Sequence, residues 1–518
     1  MFDGREGCCV TDERRTDDET KRVSREERHR ASSHGRESLD HVHVYDPYAD
    51  RFHEEDLGDE YYEQLTHTKQ NPVSRIVNQW VDRLVGGVED RSFADQEAQY
   101  AAHRTKRDYV WNTIGVGLWG MVFPILTIIV TQLVGAEQAG LFSLAFVTGT
   151  LLMFIANYGV RTFQVSDIDE DYSFADYQIN RILTCIIMLV VGFVYCMIRG
   201  YAGDMFVISM GIYVYRMIDG LADVYEGRLQ QADKMYLAGI SQAFRSALVF
   251  IVFTAVLVLT RSLVASCILM AIAAVFSFIV LTLPLAYMET PRSRRGSLKN
   301  VNKLLKLCFP LFFALFFYNL IDNMPKFLME GALAYENQLY FNAIYFPAHS
   351  ILLIIGMVYK PLLLRLSEAW DDPAKHKQFL AIIGAVMGAD VAATLVMMLL
   401  MGWIGIPIMS VLYGIDFEQF RYLVYIMIMA GGLTAAIEFL YQVITVQRRQ
   451  STIVKLYLAT FVFSIAATLI LVHTIGLMGA VLAYLLEMLL LVVLLILQFA
   501  NIKRSPGRAI EGVGQSWY

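Results

Sequence analysis

The chain has 518 residues, 56% of them hydrophobic and 18% charged. A soluble globular protein carries about a quarter charged residues, and here the charge is also unevenly spread: Asp, Glu, Lys and Arg make up 41 of the first 107 residues but only 51 of the other 411. A polar tail ahead of a long apolar body excludes a soluble enzyme, and the net charge of −6 comes from that tail, whose own balance is −7.

In chain order, residues 1–107 read as a polar cytoplasmic tail, poor in apolar residues and expected to be largely disordered. No apolar stretch of signal length lies in 1–70, so no signal peptide is expected. Seven of the ten histidines fall in the tail, His41 and His43 among them, but no second ligand cluster has metal-site spacing, so no metal is expected. Within the tail, 71–88 has Asn71 as a cap, Pro72 at the first helical position, and Ile76, Val77, Trp80, Val81, Leu84 and Val88 on one face. That pattern suits an amphipathic helix on the inner membrane surface, or a nascent helix in a disordered tail.

Twelve segments that follow are long and apolar enough to cross a bilayer core of about 30 Å. They span roughly 110–133, 139–160, 179–198, 204–226, 237–260, 263–287, 303–326, 338–362, 379–402, 421–446, 451–474 and 477–500. The expected fold is an all-α polytopic membrane protein. With the N-terminus inside, the inner loops and C-terminal end collect twenty Lys and Arg, and the outer loops only Arg199, Arg261, Lys326 and Arg421. The positive-inside rule then puts both termini in the cytoplasm and agrees with an even number of spans.

The basic linker 291–302 follows the sixth span and separates an expected N-terminal lobe, 108–290, from a C-terminal lobe, 303–502, with a cytoplasmic tail at 503–518. Two internal echoes suggest a duplication: GAEQAGLFSLAF (135–146) resembles AYENQLYFNAIY (334–345), and Tyr225 and Gln231 match Tyr441 and Gln447. Parallel repeats of this kind place a substrate between the halves.

Catalytic signatures are missing. Gly115, Gly117 and Gly120 spell the dinucleotide fingerprint, but inside the first span, where small residues serve helix packing. There is no P-loop and no HExxH, and the six cysteines form no CxxC pair. No catalytic residue, cofactor or nucleic-acid partner is expected.

The informative residues are ionisable groups inside spans, where a charge costs at least about 2.5–3.5 kcal/mol. Span 4 carries Arg216, Asp219, Asp223 and Glu226 on one face, and span 5 adds Arg245 at similar depth. Span 7 carries Asn319, Asp322, Asn323 and Lys326, and span 8 adds Asn342 and His349. Asp390, Glu438 and Glu487 are single acids on spans 9, 10 and 12. Two readings stay open. Arg216–Asp219 and Asp322–Lys326 are structural i,i+3 and i,i+4 pairs, or the cations line a wet cavity that attracts an anionic headgroup. Lys326 also fits a residue snorkelling to the outer interface, His349 a packing role, and Asp390 and Glu438 are candidates for a coupling proton or ion. Pro124 and Pro347 are the most central prolines, either hinges or static kinks.

GAEQAGLFSLAF, NYGVRTFQVSD (157–167), DYSFADY (171–177) and the polar span 4 running into DGLADVYEGRLQQADKM (219–235) resemble the Wzx-type polysaccharide flippases of the multidrug/oligosaccharidyl-lipid/polysaccharide exporter superfamily. The resemblance covers about 108–505; the tail of 107 residues departs from it. It implies a carrier with two six-helix lobes in a V, moving undecaprenyl-pyrophosphate-linked oligosaccharide repeat units across the bacterial cytoplasmic membrane by alternating access. It further implies pathway partners, a polymerase and glycosyltransferases. Carried over, Arg216 and Arg245 contact the pyrophosphate or acidic sugars, Arg161 of NYGVR guards the inner mouth, and Asp219 and Asp223 hold those arginines. A drug antiporter of the same superfamily and a membrane-embedded polymerase or glycosyltransferase are the alternatives. The outer connections, about 402–420 and 327–337, are short for the latter.

Overall fold

The computed structural model describes residues 93–501 apart from 168–169, 292, 372 and 448–449, with side chains from Arg107 onward except those of 364, 371, 373 and 450–452. The expected helix 71–88 and the tail 503–518 lie outside the described residues. Among those described, the structure is helical, and the single β-bridge joins Glu330 to Leu333.

Eight long helices carry most of the first eight crossings: α1 (Phe93–Val134), α2 (Ala136–Asn157), a short α3 (Val160–Ser166), α4 (Phe174–Ile198), α5 (Gly203–Gln231), α6 (Met235–Thr260), α7 (Leu263–Ser277) continued as α8 (Leu283–Glu289), α9 (Leu298–Met329) and α10 (Glu336–Tyr359). Then come α11 (Leu363–Asp371), α12 (His376–Leu400) continued as α13 (Ile406–Tyr413), α14 (Arg421–Val446) and α15 (Gln450–Asn501). Eleven helices among the described residues are long and apolar enough to cross a membrane. The last, Ile453–Asn501, is broken at Ile475 (φ −131°) and Gly476 (φ 62°), which splits it into the segments expected at 451–474 and 477–500. The chain is a multi-pass membrane protein.

Local chemistry explains several boundaries. Ser173 caps α4 by accepting from the Asp176 N–H while the Asp176 carboxylate accepts from the Ser173 N–H, a reciprocal capping box. Pro284 and Pro407 each sit just past a wide π turn, Phe278–Thr282 and Met401–Gly405. The wider turn relieves the clash a proline makes with the carbonyl behind it, so the helix survives. Consequently the stretch 402–420, expected as a connection, is mostly helix through Tyr413.

Within the bundle α2 packs on α4 and α5, α7 on α5 and α6, α10 on α12 and α14, and α15 on α9 and α14. Helix α2 also meets α9 and α10, so the two mutually similar segments lie against each other: a Cβ on Gly140 would fall 1.9 Å from the Tyr335 carbonyl oxygen. Of the three glycines in the dinucleotide-like fingerprint, Gly115 abuts the backbone of Gly239 on α6, whereas Gly117 and Gly120 face open space.

Candidate functional site

Helix α5 presents Arg216, Asp219, Asp223 and Glu226 at spacings of three and four residues, one face of a 3.6-residue period. Arg245 of α6 reaches across that face. Its Nε lies 2.8 Å from Asp219 Oδ1 and its Nη1 2.8 Å from Glu226 Oε1. Arg216 Nη1 donates to Asp219 Oδ2 at 3.1 Å, forming the expected i,i+3 pair. The Arg216 guanidinium also stands 4.2 Å from the centroid of the Phe146 ring. Trp119 Nε1 donates to the same Asp219 oxygen at 3.0 Å, and Ser241 Oγ, itself 2.8 Å from Thr282 Oγ1, donates to Glu226. Arg216 and Arg245 are only 3% and 1% exposed. For these two arginines structural pairing and cavity lining both stayed open in the sequence; in the structure they are enclosed and matched by two carboxylates. A charge in low dielectric needs that compensation.

One turn nearer the end of α5, Asp223 takes Arg161 on one oxygen and Arg181 on the other, both at 2.7 Å. Asp223 therefore holds Arg161 and Arg181, while Asp219 holds Arg216 and Arg245. Arg181 is fully buried and also donates to the Ala156 carbonyl and to Asn157 Oδ1. Arg161 keeps a third of its side chain exposed and donates twice to Gln230 Oε1, at 3.3 and 3.0 Å. Its position comes from a break after α2: Tyr158 (φ 48°) and Gly159 (φ 68°) are both left-handed and turn the chain into α3. The Tyr158 ring stacks on Phe312 of α9 with centroids 4.5 Å apart, which offsets the strain of a non-glycine in that conformation. Burial lowers the affinity of Arg161 for its proton, but the Asp223 and Glu226 carboxylates outweigh it and raise the pKa above the ordinary value. Four arginines thus share three acids, leaving one positive charge in excess at the partly open Arg161 end.

A second polar cluster forms around α9. Asp322 accepts from Tyr345 of α10 at 2.8 Å and from Tyr484 of α15 at 2.7 Å. Lys326 makes no ion pair with Asp322 among the described contacts. Its Nζ donates to Asn323 Oδ1 at 2.8 Å and sits 3.8 Å from the centre of the Tyr345 ring. At 2% exposure it is buried rather than snorkelling. His349 stacks on Tyr345, and its Nδ1 is buried without a hydrogen-bond partner. Asn319 and Asn342 donate back to the carbonyls of Leu315 and Gln338. The single acids lie apart from both clusters or at their edge: Asp390 is 5% exposed with Oδ1 unpartnered, Glu438 is half-buried and accepts from Gln442, and Glu487 accepts from Thr468 at 2.6 Å.

Reading by loop position missed Arg181 and Arg228, which count as inner-loop charges in the sequence yet are buried, Arg228 paired with Glu170 at 2.7 Å. The signal was present for Arg181: it follows Tyr177 by four residues and precedes Cys185 and Met188 on the buried face of a capped helix. Nothing local marks Glu330, which joins Arg199, Tyr195 and Tyr201 from a distant part of the chain.

Residues 106–365 match the family model described as polysaccharide biosynthesis protein. Several solved structures share the fold. One is a MOP superfamily transporter from Pyrococcus furiosus, described as having a binding pocket of reverse polarity (TM-score 0.51, 12% identity, 76% of this chain and 94% of that one). Another is the inward-facing form of a multidrug resistance MATE family transporter of the same superfamily (0.51, 12%, 76% and 100%). A third is a mutant of the Vibrio cholerae MATE transporter VcmN (0.53, 12%, 78% and 98%). At such identities the likeness establishes the fold alone. No curated protein matches in sequence.

Proposed function

The chain belongs to the polysaccharide biosynthesis protein family, and from that premise we propose that it is a flippase for polyprenyl-pyrophosphate-linked oligosaccharides. It works in the bacterial cytoplasmic membrane with both termini inside, and supplies surface polysaccharide assembly. Two lobes, 108–290 and 303–502, rock about a central cavity to expose it to each side in turn, while the lipid tail stays in the bilayer. The observation that carries this reading is the excess positive charge in the Arg161–Arg181–Asp223 group, presented by the partly exposed Arg161.

In this account the Arg161 guanidinium meets the pyrophosphate or an acidic sugar, because a planar fork binds such oxyanions at two points and stays charged. Arg181 and Asp223 orient it. Arg216, Arg245, Asp219 and Glu226 form a neutral, rigid floor that fixes α5 against α6. Asn319, partly exposed on α9, offers a second polar contact and is backed by the buried Lys326 and Asp322, and Asp390 and Glu438 are the acids available to carry a coupling proton or ion. The pathway's polymerase and glycosyltransferases act before and after this step; the carrier itself makes and breaks no covalent bond.

Deleting the gene in its host and assaying lipid-linked repeat units tests the reading. Units stalled facing the cytoplasm, with little surface polymer and no rescue by Arg161→Ala, are the expected result. Units stalled on the outer face indicate a lost polymerase. Normal levels of both, with changed drug tolerance, indicate an antiporter and overturn the proposal.

A further inference from the structure

At its end beyond the third crossing, the chain builds a clasp onto the seventh. Glu330 caps the C-terminus of α9, and its side chain is only 4% exposed. Arg199, the cap of α4, places Nη2 2.7 Å from Glu330 Oε2 and donates to the Glu330 carbonyl at 3.0 Å as well. Tyr195 donates to Oε2 at 3.2 Å and Tyr201 to Oε1. The two tyrosine rings stand edge to face, 6.0 Å apart. Three donors from one short stretch therefore converge on one buried carboxylate more than a hundred residues away. Immediately beyond it, the backbone of Tyr335 lies against α2 at Gly140 without room for a Cβ. Burial, then Tyr195, then the bond to Glu330 push the Tyr201 hydroxyl well above the usual phenol range, so it remains a donor.

Arg199 and Arg161 lie one membrane crossing apart, since α4 runs from the α3 end to Arg199. The clasp thus sits at the end of the bundle opposite Arg161. Seated, as here, the carboxylate is paired and its hydrogen bonds are made; were the clasp fully parted, every group would be hydrated. Between them lies a buried carboxylate stripped of its donors, which is costly. Packed contacts of this kind switch between discrete arrangements rather than stretch.

We propose that Arg199, Tyr195, Tyr201 and Glu330 form a latch that holds the far exit shut, and that transport requires it to unseat as a unit. The proposal rests on the carrier reading for its purpose, but its test does not depend on the cargo. The full chain, with its natural cysteines replaced, carries Met329→Cys beside the latch, a position 1% exposed when the latch is seated. A membrane-impermeant maleimide is applied from the latch side, and the labelling rate is read.

Arg199→Ala with Tyr201→Phe is expected to raise the rate about tenfold, the response of a two-state equilibrium to losing charged hydrogen bonds. Reversing the pair, Arg199→Glu with Glu330→Arg, is expected to restore slow labelling. Tyr201→Phe alone removes one hydroxyl, and its intermediate rate keeps the test readable should the double variant not fold. A rate that stays within about twofold of the intact latch in the broken variants, or a reversed pair that labels as fast as Arg199→Ala with Tyr201→Phe, overturns the latch. Because labelling reports opening whatever is carried, a failed latch and a failed flippase reading give different results.

Discussion

Replacing Arg245 by leucine tests whether the α5–α6 charge cluster is structural. Arg245 makes two 2.8 Å ion pairs, to Asp219 and to Glu226, at 1% exposure. Without it, Asp219 retains Arg216 at 3.1 Å and Trp119 at 3.0 Å. Glu226 retains only the Ser241 hydroxyl at 3.2 Å, so it becomes a buried, uncompensated carboxylate. Breaking a buried pair in this way costs about 3–5 kcal/mol, a loss of roughly a thousandfold in the folding equilibrium at about 4 kcal/mol. Adding Glu226→Gln removes the stranded charge, and most of the loss should return, because a buried pair exchanged for neutral groups of similar volume is often close to neutral. Reversible unfolding of the purified protein in mixed micelles, followed by far-UV circular dichroism, gives both numbers and their coupling. A loss below about 1 kcal/mol for Arg245→Leu, or no recovery in the double variant, would show that the cluster does not hold α5 against α6.

The same unfolding assay separates close approach from composition: Gly140→Ala places a Cβ 1.9 Å from the Tyr335 carbonyl oxygen and should abolish folded protein, whereas Gly117→Ala, with nothing within 4 Å, should be neutral or gain up to about 1 kcal/mol. Arg161→Ala should cost about 1 kcal/mol or less, since a third of the side chain is exposed and Asp223 keeps Arg181, while transport measured on the same preparation falls sharply. Tyr345→Phe removes a buried 2.8 Å bond to Asp322 and should cost about 1–3 kcal/mol; an unchanged midpoint would show that Tyr484 alone satisfies the carboxylate.

The helices were legible because lipid demands long apolar runs, and the expected segments overlap the observed helices throughout. Their ends were less so. The helix through Pro407 to Tyr413 continues because a π turn absorbs the proline, which hydropathy does not register. The α5 face was readable from its spacing, and Arg216–Asp219 formed as an i,i+3 pair. Asp322–Lys326 has equally suitable spacing, yet the carboxylate is captured by Tyr345 and Tyr484, the latter 162 residues away. Spacing reveals local pairs; competition from distant donors appears only in the fold. For the same reason Arg181 and Arg199 read as loop charges, although one is a buried strut of the Arg161 site and the other closes on Glu330.

The central claim is translocation of a pyrophosphate-linked oligosaccharide, and a sidedness assay in reconstituted vesicles tests it most directly. The full chain is placed in phospholipid vesicles with a polyprenyl-pyrophosphate oligosaccharide on one leaflet, and access of a membrane-impermeant lectin or glycosidase to the sugar is followed over time. Protein-dependent movement of the headgroup between leaflets is expected, lost in Arg161→Ala and retained in Gly117→Ala. Movement no faster than in protein-free vesicles, from a preparation shown to be folded, contradicts it.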